Sequence, residues 1–219
     1  MSSTTSRKVS FAGLWADLGD LIDIDRGETI YHPGTSSTSV YIVESGRVKL
    51  AYLDESGKKL TLTIADAGEI FGEMCLVGEK YRRHMASAIE DTVLRCVDRK
   101  VFMKAIGQDP VVLLQLVQHF AARMREFEET LEDLAFRDIQ ARLSRQLLKL
   151  SDEYGVETKE GMLIGLPVTH KELADMIGSA RENTTLALNR FEREGILDKS
   201  RYRIVIKNEA GLRKKCHAG

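Results

Sequence analysis

The most constraining feature of the sequence is a long segment without glycine or proline, residues 111–136. Apolar residues recur along it with gaps that alternate between four and three: Leu113, Val117, Phe120, Met124, Phe127, Leu131 and Leu134. This heptad spacing, with charged residues beside it, predicts one long helix with an apolar stripe. The stripe can pack on the core of its own domain or against a second copy of the chain. Its length and flanking charges favour a dimer interface formed by Val117, Phe120, Met124, Phe127, Leu131 and Leu134.

The segment before this helix, residues 28–106, predicts short β-strands. Its strand candidates are rich in β-branched and aromatic residues, and they cover residues 29–31, 39–43, 47–52, 60–64 and 93–97. Glycine-containing turns separate several of them, for example Ser45-Gly46 and Ala67-Gly68. Many short strands joined by such turns are typical of a sandwich or jelly roll.

After the long helix, the pattern predicts a helix-turn-helix. Residues 139–150 form an amphipathic helix, and a polar loop is expected over residues 151–161. Thr169 and Glu172 have the spacing of a capping box at the start of a short helix, which stops at Gly178. A second helix begins at Ser179 or Ala180 and ends before Gly195, and residues 201–206 predict a strand, the wing of a winged helix.

The first turns of that second helix carry side chains suited to DNA. Arg181 can donate two hydrogen bonds to a guanine, and Glu182 can accept one from a cytosine. Hydroxyl groups suited to phosphates or a thymine methyl, and the imidazole that begins the first helix, complete the candidate set: Ser179, Thr184, Thr185 and His170. A helix pair used for protein contact is the alternative, with Arg181 and Glu182 as surface charges.

The charge distribution agrees with a polyanion partner for the second half only. Residues 139–219 carry 15 Lys and Arg against 11 Asp and Glu, whereas residues 1–138 carry 17 against 22. No apolar run is long enough for a membrane span, and the first residues lack a signal-peptide core, so we expect a cytoplasmic protein without a membrane partner. The three cysteines, Cys75, Cys96 and Cys216, lack the spacing of a disulfide framework or a zinc site and are expected to be free thiols.

No catalytic motif stands out. The sequence has no phosphate-binding Gly-Lys-Ser/Thr loop, and its five histidines are scattered outside any metal-ligand or triad spacing. The prediction is therefore a protein that is not an enzyme. A regulatory subunit of an enzyme is a further alternative, which the helix-turn-helix disfavours.

Four stretches resemble the superfamily of the cAMP receptor protein and the fumarate–nitrate reduction regulator. They are residues 45–50 (SGRVKL), 68–73 (GEIFGE), 134–138 (LAFRD) and 177–182 (IGSARE). They occur in the family's order over nearly the whole chain. The resemblance implies an α+β fold with an N-terminal cyclic-nucleotide-binding-type β jelly roll, a long dimerisation helix and a C-terminal winged helix-turn-helix. The corresponding domains are residues 1–110, 111–138 and 139–219.

The resemblance also implies an effector pocket in the barrel. Gly72 and Glu73 fall where cAMP-binding members contact the ribose, and Arg82 falls where they contact the cyclic phosphate, with Arg83 next to it. Phe127 and Glu128 stand where the cAMP receptor protein offers Thr-Ser to the adenine, so cAMP is one candidate among several effectors. A regulator without a nucleotide effector, constitutively active or sensing redox state or haem, is the alternative.

The implied partners follow from the same family. They are double-stranded DNA with an inverted-repeat operator, RNA polymerase, a second copy of the chain and a small effector of unknown identity. Iron–sulfur members carry an N-terminal cysteine cluster that residues 1–30 lack, and the ligands of carbon-monoxide-sensing haem members fall at Gly72 and Met74 here. We therefore expect no metal and no iron–sulfur cluster.

Overall fold

A computed structural model describes residues 9–11, 18–200 and 202–216. The chain divides into two compact units, Met1–Glu126 and Phe127–Gly219. Within the described residues, no helix has the length and apolar character needed to cross a bilayer.

Two four-stranded antiparallel sheets build the first unit. The strands are β1 (Asp20–Ile24), β2 (Thr29–Tyr31), β3 (Ser39–Ser45), β4 (Arg47–Leu53), β5 (Lys59–Asp66), β6 (Ile70–Phe71), β7 (Met85–Ala88) and β8 (Thr92–Asp98). One sheet has the order β1-β8-β3-β6 and the other β2-β7-β4-β5. Their facing sides enclose a core of Tyr31, Val43, Val48, Leu50, Phe71 and Leu94. All five predicted strands are confirmed, and the paired sheets match the predicted jelly roll.

The turn between β3 and β4 shows why the sequence places a glycine there. Gly46 has a φ of 83°, a left-handed conformation that side chains other than glycine rarely adopt. A Cβ at this position would also lie 2.4 Å from the Thr92 hydroxyl oxygen. The turn therefore lies directly against the end of β8 and fixes the corner of the barrel.

The long helix has two different apolar faces. A 3-10 helix (Glu73–Val77) and α1 (Arg99–Ile106) precede α2, which spans Pro110–Phe136 and confirms the predicted helix. Val112, Leu116 and His119 are buried against the core of the first unit, together with Phe11 and Phe102. A second face of α2 is exposed, as described below. The apolar residues of the sequence pattern therefore belong to two faces of α2, because residues three and four positions apart share a face of a helix.

The second unit is a winged helix-turn-helix. Its elements are α3 (Ile139–Tyr154), β9 (Gly155–Thr158), β10 (Gly161–Ile164), α4 (His170–Met176), α5 (Arg181–Arg193), β11 (Leu197–Ser200), β12 (Arg203–Ile206) and α6 (Glu209–Lys215). The strands form one antiparallel sheet in the order β11-β12-β10-β9. The predicted capping box is present, because the Thr169 hydroxyl accepts from the Glu172 amide and the Glu172 carboxylate accepts from the Thr169 amide.

The loop predicted for residues 151–161 is wrong. The helix α3 continues to Tyr154, and residues 155–158 and 161–164 form a hairpin instead. The hairpin is stabilised by pairing of Met162 and Leu163 with Ile206 and Val205 on β12. That partner lies more than forty residues further along the chain, so local polarity alone could not indicate it.

An ionic cluster joins the start of the second unit to its end. The Arg137 guanidinium donates to Asp133 at 2.8 Å, to Glu132 at 2.8 Å and to the carbonyl oxygen of Cys216 at 3.0 Å. Arg145 on α3 also donates to Asp133, at 3.0 Å. The residues between α2 and α3 are thereby bonded to the chain just after α6.

Candidate DNA interface and effector pocket

The helix α5 presents its first turn to solvent. Ala187, Leu188 and Phe191 are buried on one side of the helix, whereas Arg181 and Glu182 are exposed. The burial of the later residues holds α5 on its unit and leaves the N-terminal polar side chains accessible. This is the arrangement of a recognition helix, whose first turns enter the major groove.

A concave surface of about 610 Å³ lies beside the start of α5. Its lining is Val168, Thr169, His170, Lys171, Arg181, Lys199, Ser200 and Tyr202. Three of these side chains are basic, namely Lys171, Arg181 and Lys199, although Lys171 bonds to Asp175 at 2.7 Å and Lys199 to Glu192 at 2.9 Å. The surface is therefore suited to a phosphate of the DNA backbone.

Lys171, Lys199, Ser200 and Tyr202 are site residues that the sequence analysis missed. Lys199 and Ser200 lie at the end of β11, the strand of the wing that the sequence pattern did not predict. Tyr202 has a φ of 65°, which places it in a tight turn between the two wing strands. The available signal was the predicted strand at residues 201–206, since a wing requires a partner strand just before it.

The six predicted DNA residues divide into exposed and inward-facing groups. Arg181 and Glu182 are exposed, and the Nδ1 atom of His170 lies 3.0 Å from the Thr185 hydroxyl oxygen. Burial, with the nearby Lys199 and Arg181 charges, lowers the pKa of His170, so its imidazole is neutral at pH 7. The geometry brings His170, Arg181 and Thr185 together, and Glu182 follows Arg181 on the first turn of α5.

Thr184 and Ser179 belong to the inward-facing group. Both are buried, and the hydroxyl of Thr184 donates to the carbonyl oxygen of Ala180 at 3.0 Å. The amide of Ser179 donates to the carbonyl oxygen of Ala174. The structure places both residues where they hold the turn between α4 and α5, rather than at the solvent surface.

In the barrel, Arg82 is engaged by the protein itself. Its guanidinium is buried and donates to the carbonyl oxygens of Gly72 at 2.8 Å and Ser39 at 2.6 Å. It also lies over the ring of Tyr31, 4.5 Å from the centroid, and 5.5 Å from that of Tyr41. Nη1 and Nη2 of the predicted anion contact thus each have a protein acceptor, whereas its buried Nε has none among the described residues.

Glu73 lies next to the long helix. Its carboxylate oxygen is 3.8 Å from Nε2 of His119 on α2, too far for a hydrogen bond but close enough for charges to interact. Burial raises the pKa of Glu73, but His119, a backbone hydrogen bond and the Arg123 charge together outweigh burial and hold the pKa below its usual range. The structure therefore keeps Glu73 ionised beside α2.

Aromatic residues that the sequence analysis did not single out fill the space around Arg82. The rings of Tyr41 and Phe71 stack with centroids 5.0 Å apart, and the Tyr31 hydroxyl lies 3.1 Å from Nε2 of His84. Burial raises the pKa of the Tyr31 phenol and lowers that of the His84 imidazole, so both are neutral at pH 7. No sequence pattern marks these residues, because their proximity arises from the packing of separate strands.

The other predicted effector contacts are exposed residues. Arg83 is exposed and its nearest acid is Glu79, at 3.7 Å. Phe127 and Glu128 are exposed on α2 and belong to the second unit. Within the first unit, the structure therefore brings Gly72, Glu73 and Arg82 together, and Arg83 lies outside.

The predicted dimer residues form the exposed apolar face of α2. Val117, Met124, Phe127, Leu131 and Leu134 are all exposed, and Phe127 retains 59% of its accessible surface. Phe120 differs, because it is half-buried and packs partly against the core of the first unit. A continuous apolar stripe of this kind is typical of a protein interface.

Comparison with known proteins assigns both units to families. Residues 21–109 match the cyclic nucleotide-binding domain family, and residues 141–215 match the Crp-like helix-turn-helix domain family. The global nitrogen regulator of Synechococcus elongatus is 30% identical over 190 residues, which cover 86% of this chain and 86% of that protein. The cyclic AMP receptor protein of Thermus thermophilus is 32% identical over 172 residues, covering 78% of this chain and 76% of that protein.

A solved structure agrees with these matches. A CRP/FNR-family transcriptional regulator from Thermus thermophilus has a TM-score of 0.76 and 30% identity, covering 90% of this chain and 98% of that one. The predicted resemblance and fold class are thereby confirmed. The chain belongs to the CRP/FNR family and is a DNA-binding transcription regulator with an N-terminal cyclic nucleotide-binding domain and a C-terminal Crp-like helix-turn-helix domain.

Proposed function

We propose that the protein acts as a homodimer on an inverted-repeat operator. The observation that carries the DNA contact is the exposed pair Arg181 and Glu182 at the start of α5, beside the basic concave surface. The exposed stripe of α2 supports the dimer, since its seam residues are apolar and accessible. Two recognition helices related by a two-fold axis require half-sites about one helical turn apart.

Each residue has a proposed role at the operator. Arg181 donates to guanine O6 and N7, and Glu182 accepts from cytosine N4. His170 and Thr185, together with Lys199 on the wing, contact phosphates and fix the position of the helix without selecting a sequence. Ser179 and Thr184 support this contact by holding the start of α5.

Sequence selection from random duplex pools tests this function. We expect the wild type to select an inverted repeat. The Arg181→Ala variant should lose about 1–3 kcal/mol on that site and relax the preference at one base pair of each half-site. Arg193→Ala, at the other end of α5, is the matched control and should leave the consensus unchanged. An Arg181→Ala consensus identical to that of the wild type, or a wild-type operator without two-fold symmetry, would contradict the proposal.

We further propose that a small effector binds in the barrel near Gly72, Glu73 and Arg82. A relative named cyclic AMP receptor protein makes cAMP the first compound to test. The burial of Arg82 and its bonds to Gly72 and Ser39 support a second candidate, a regulator without a nucleotide effector, because protein carbonyls already take two of the five N–H donors of the guanidinium.

Thermal unfolding with added cAMP separates the two candidates. A bound ligand at 100 times its dissociation constant stabilises the folded state by about 2.7 kcal/mol, so binding should raise Tm and tighten operator binding. The second candidate instead predicts no change in Tm at millimolar cAMP and full operator binding by the ligand-free protein. A higher Tm with cAMP, together with operator binding that depends on it, would refute the second candidate.

RNA polymerase is the proposed protein partner and the cytoplasm the proposed location, as for a regulator that acts at promoters. We assign the protein no catalytic activity. Co-purification of RNA polymerase on operator-bearing DNA with the protein bound, and not without it, tests this partner.

A further inference from the structure

Leu186 is an exposed leucine in the middle of the recognition helix. It retains 65% of its accessible surface, whereas Leu188 and Phe191 on the same helix are fully buried. Single exposed apolar residues are common on protein surfaces, so exposure alone has little meaning. The exposure of Leu186 is informative because of the face of α5 on which this residue lies.

The exposed face of α5 carries Leu186 between polar residues. Glu182 lies four residues before it and Asn183 three residues before it, and both are exposed. Residues at these spacings share one face of a helix. Thr184 and Ala187 are buried on the opposite side, with Leu188 and Phe191. Leu186 therefore shares the surface that carries the proposed base contact of Glu182.

The chemistry of the major groove limits what a leucine can recognise there. Thymine alone presents a methyl group in this groove, whereas the other three bases are recognised there mainly through hydrogen-bonding groups. A leucine side chain has no donor or acceptor, and it leaves a polar base edge without a partner when it excludes water. Contact with a thymine methyl is the one favourable pairing.

We propose that Leu186 selects a thymine in each half-site through contact with its 5-methyl group. This inference rests on the proposed function, in which α5 enters the major groove. Leu186 lies four residues after Glu182, about 6 Å along the axis. Base pairs are separated by about 3.4 Å, so the thymine should lie one or two base pairs from the one that Glu182 contacts.

Deoxyuridine substitution tests the contact because it removes only the methyl group. The probe is the operator selected by the wild type, with each thymine of one half-site replaced in turn by deoxyuridine. At one position, wild-type affinity should fall about fourfold, the effect of one buried methyl-sized group. The Leu186→Ala variant should bind the thymine and deoxyuridine operators equally.

Two further variants serve as controls. Leu186→Met keeps an apolar side chain of similar volume and should retain the sensitivity to deoxyuridine. Leu186→Arg offers two donors to a guanine. Sequence selection with this variant should therefore yield guanine in place of the thymine at that position. Because Leu186 is exposed, all three variants should unfold at the wild-type Tm, so loss of folding does not confound the comparison.

Several results would overturn the inference. One is that no deoxyuridine substitution weakens wild-type binding, and another is that Leu186→Ala remains as sensitive as the wild type at the same position. Either result, with a consensus that still depends on Arg181, rejects the role of Leu186 and leaves the proposed function intact. A wild type that selects no consensus rejects the proposed function, and this inference falls with it.

Discussion

The Phe127→Asp variant is expected to be a monomer with strongly reduced operator affinity. Phe127 is exposed in the isolated chain and lies in the centre of the apolar face of α2. In a symmetric dimer the same residue of both copies meets at the seam, so the substitution places two carboxylates in an apolar interface. An uncompensated buried charge costs about 3–5 kcal/mol. Loss of one DNA-bound half of the dimer further weakens binding to a two-site operator.

Sedimentation velocity over a range of concentrations, with a gel-shift assay on the selected operator, measures both effects. Gln118→Asp is the matched control, because it introduces the same charge on an exposed position of α2 away from the seam. We expect this control to be a dimer with wild-type affinity. A Phe127→Asp protein that sediments like the control would disprove the seam.

Replacing Arg82 by Ala is expected to destabilise the barrel by about 3–5 kcal/mol. The side chain is buried and is a charged donor to the carbonyl oxygens of Gly72 and Ser39. Hydrogen bonds to charged groups contribute about 1.5–3 kcal/mol each, and the variant would also leave a cavity beside Tyr31. Chemical denaturation, followed by the near-UV signal of the barrel tyrosines, gives the free energy of unfolding.

Arg83→Ala is the control for this effect. Its side chain is exposed and its pair with Glu79 is four residues apart on the surface, so the free energy should change by no more than about 0.5 kcal/mol. If Arg82→Ala unfolds like the wild type but loses binding of an effector, Arg82 is a ligand contact and its structural role is refuted.

The sequence predicted five of the eight barrel strands described, but not β1, β6 and β7. The predicted strands have β-branched residues in alternation, which is a local signal. The strand β7 contains Ala86, Ser87 and Ala88 and is buried at all four positions, so it shows no alternation. The hairpin at residues 155–164 was missed because β12, which is distant in the sequence, supplies its pairing.

The candidate site was predictable to a similar extent. Arg181 and Glu182 follow from the helix-turn-helix pattern and from the family resemblance. The burial of Thr184 was also present in the sequence, since it is spaced four and seven residues from Leu188 and Phe191 on the buried stripe. The engagement of Arg82 by backbone carbonyls was not, because side-chain direction in a barrel depends on the packing of several strands.

The bond from Arg137 to the carbonyl oxygen of Cys216 has a consequence for how the chain is made. Domains generally fold in the order of synthesis, so the barrel can form while the ribosome is still translating the remainder. The second unit differs, because α6 packs on α3 and Arg137 bonds to the carbonyl oxygen of Cys216, just after α6. The barrel can therefore form first, and the DNA-binding unit reaches its final packing only after α6 and Cys216 have left the ribosome.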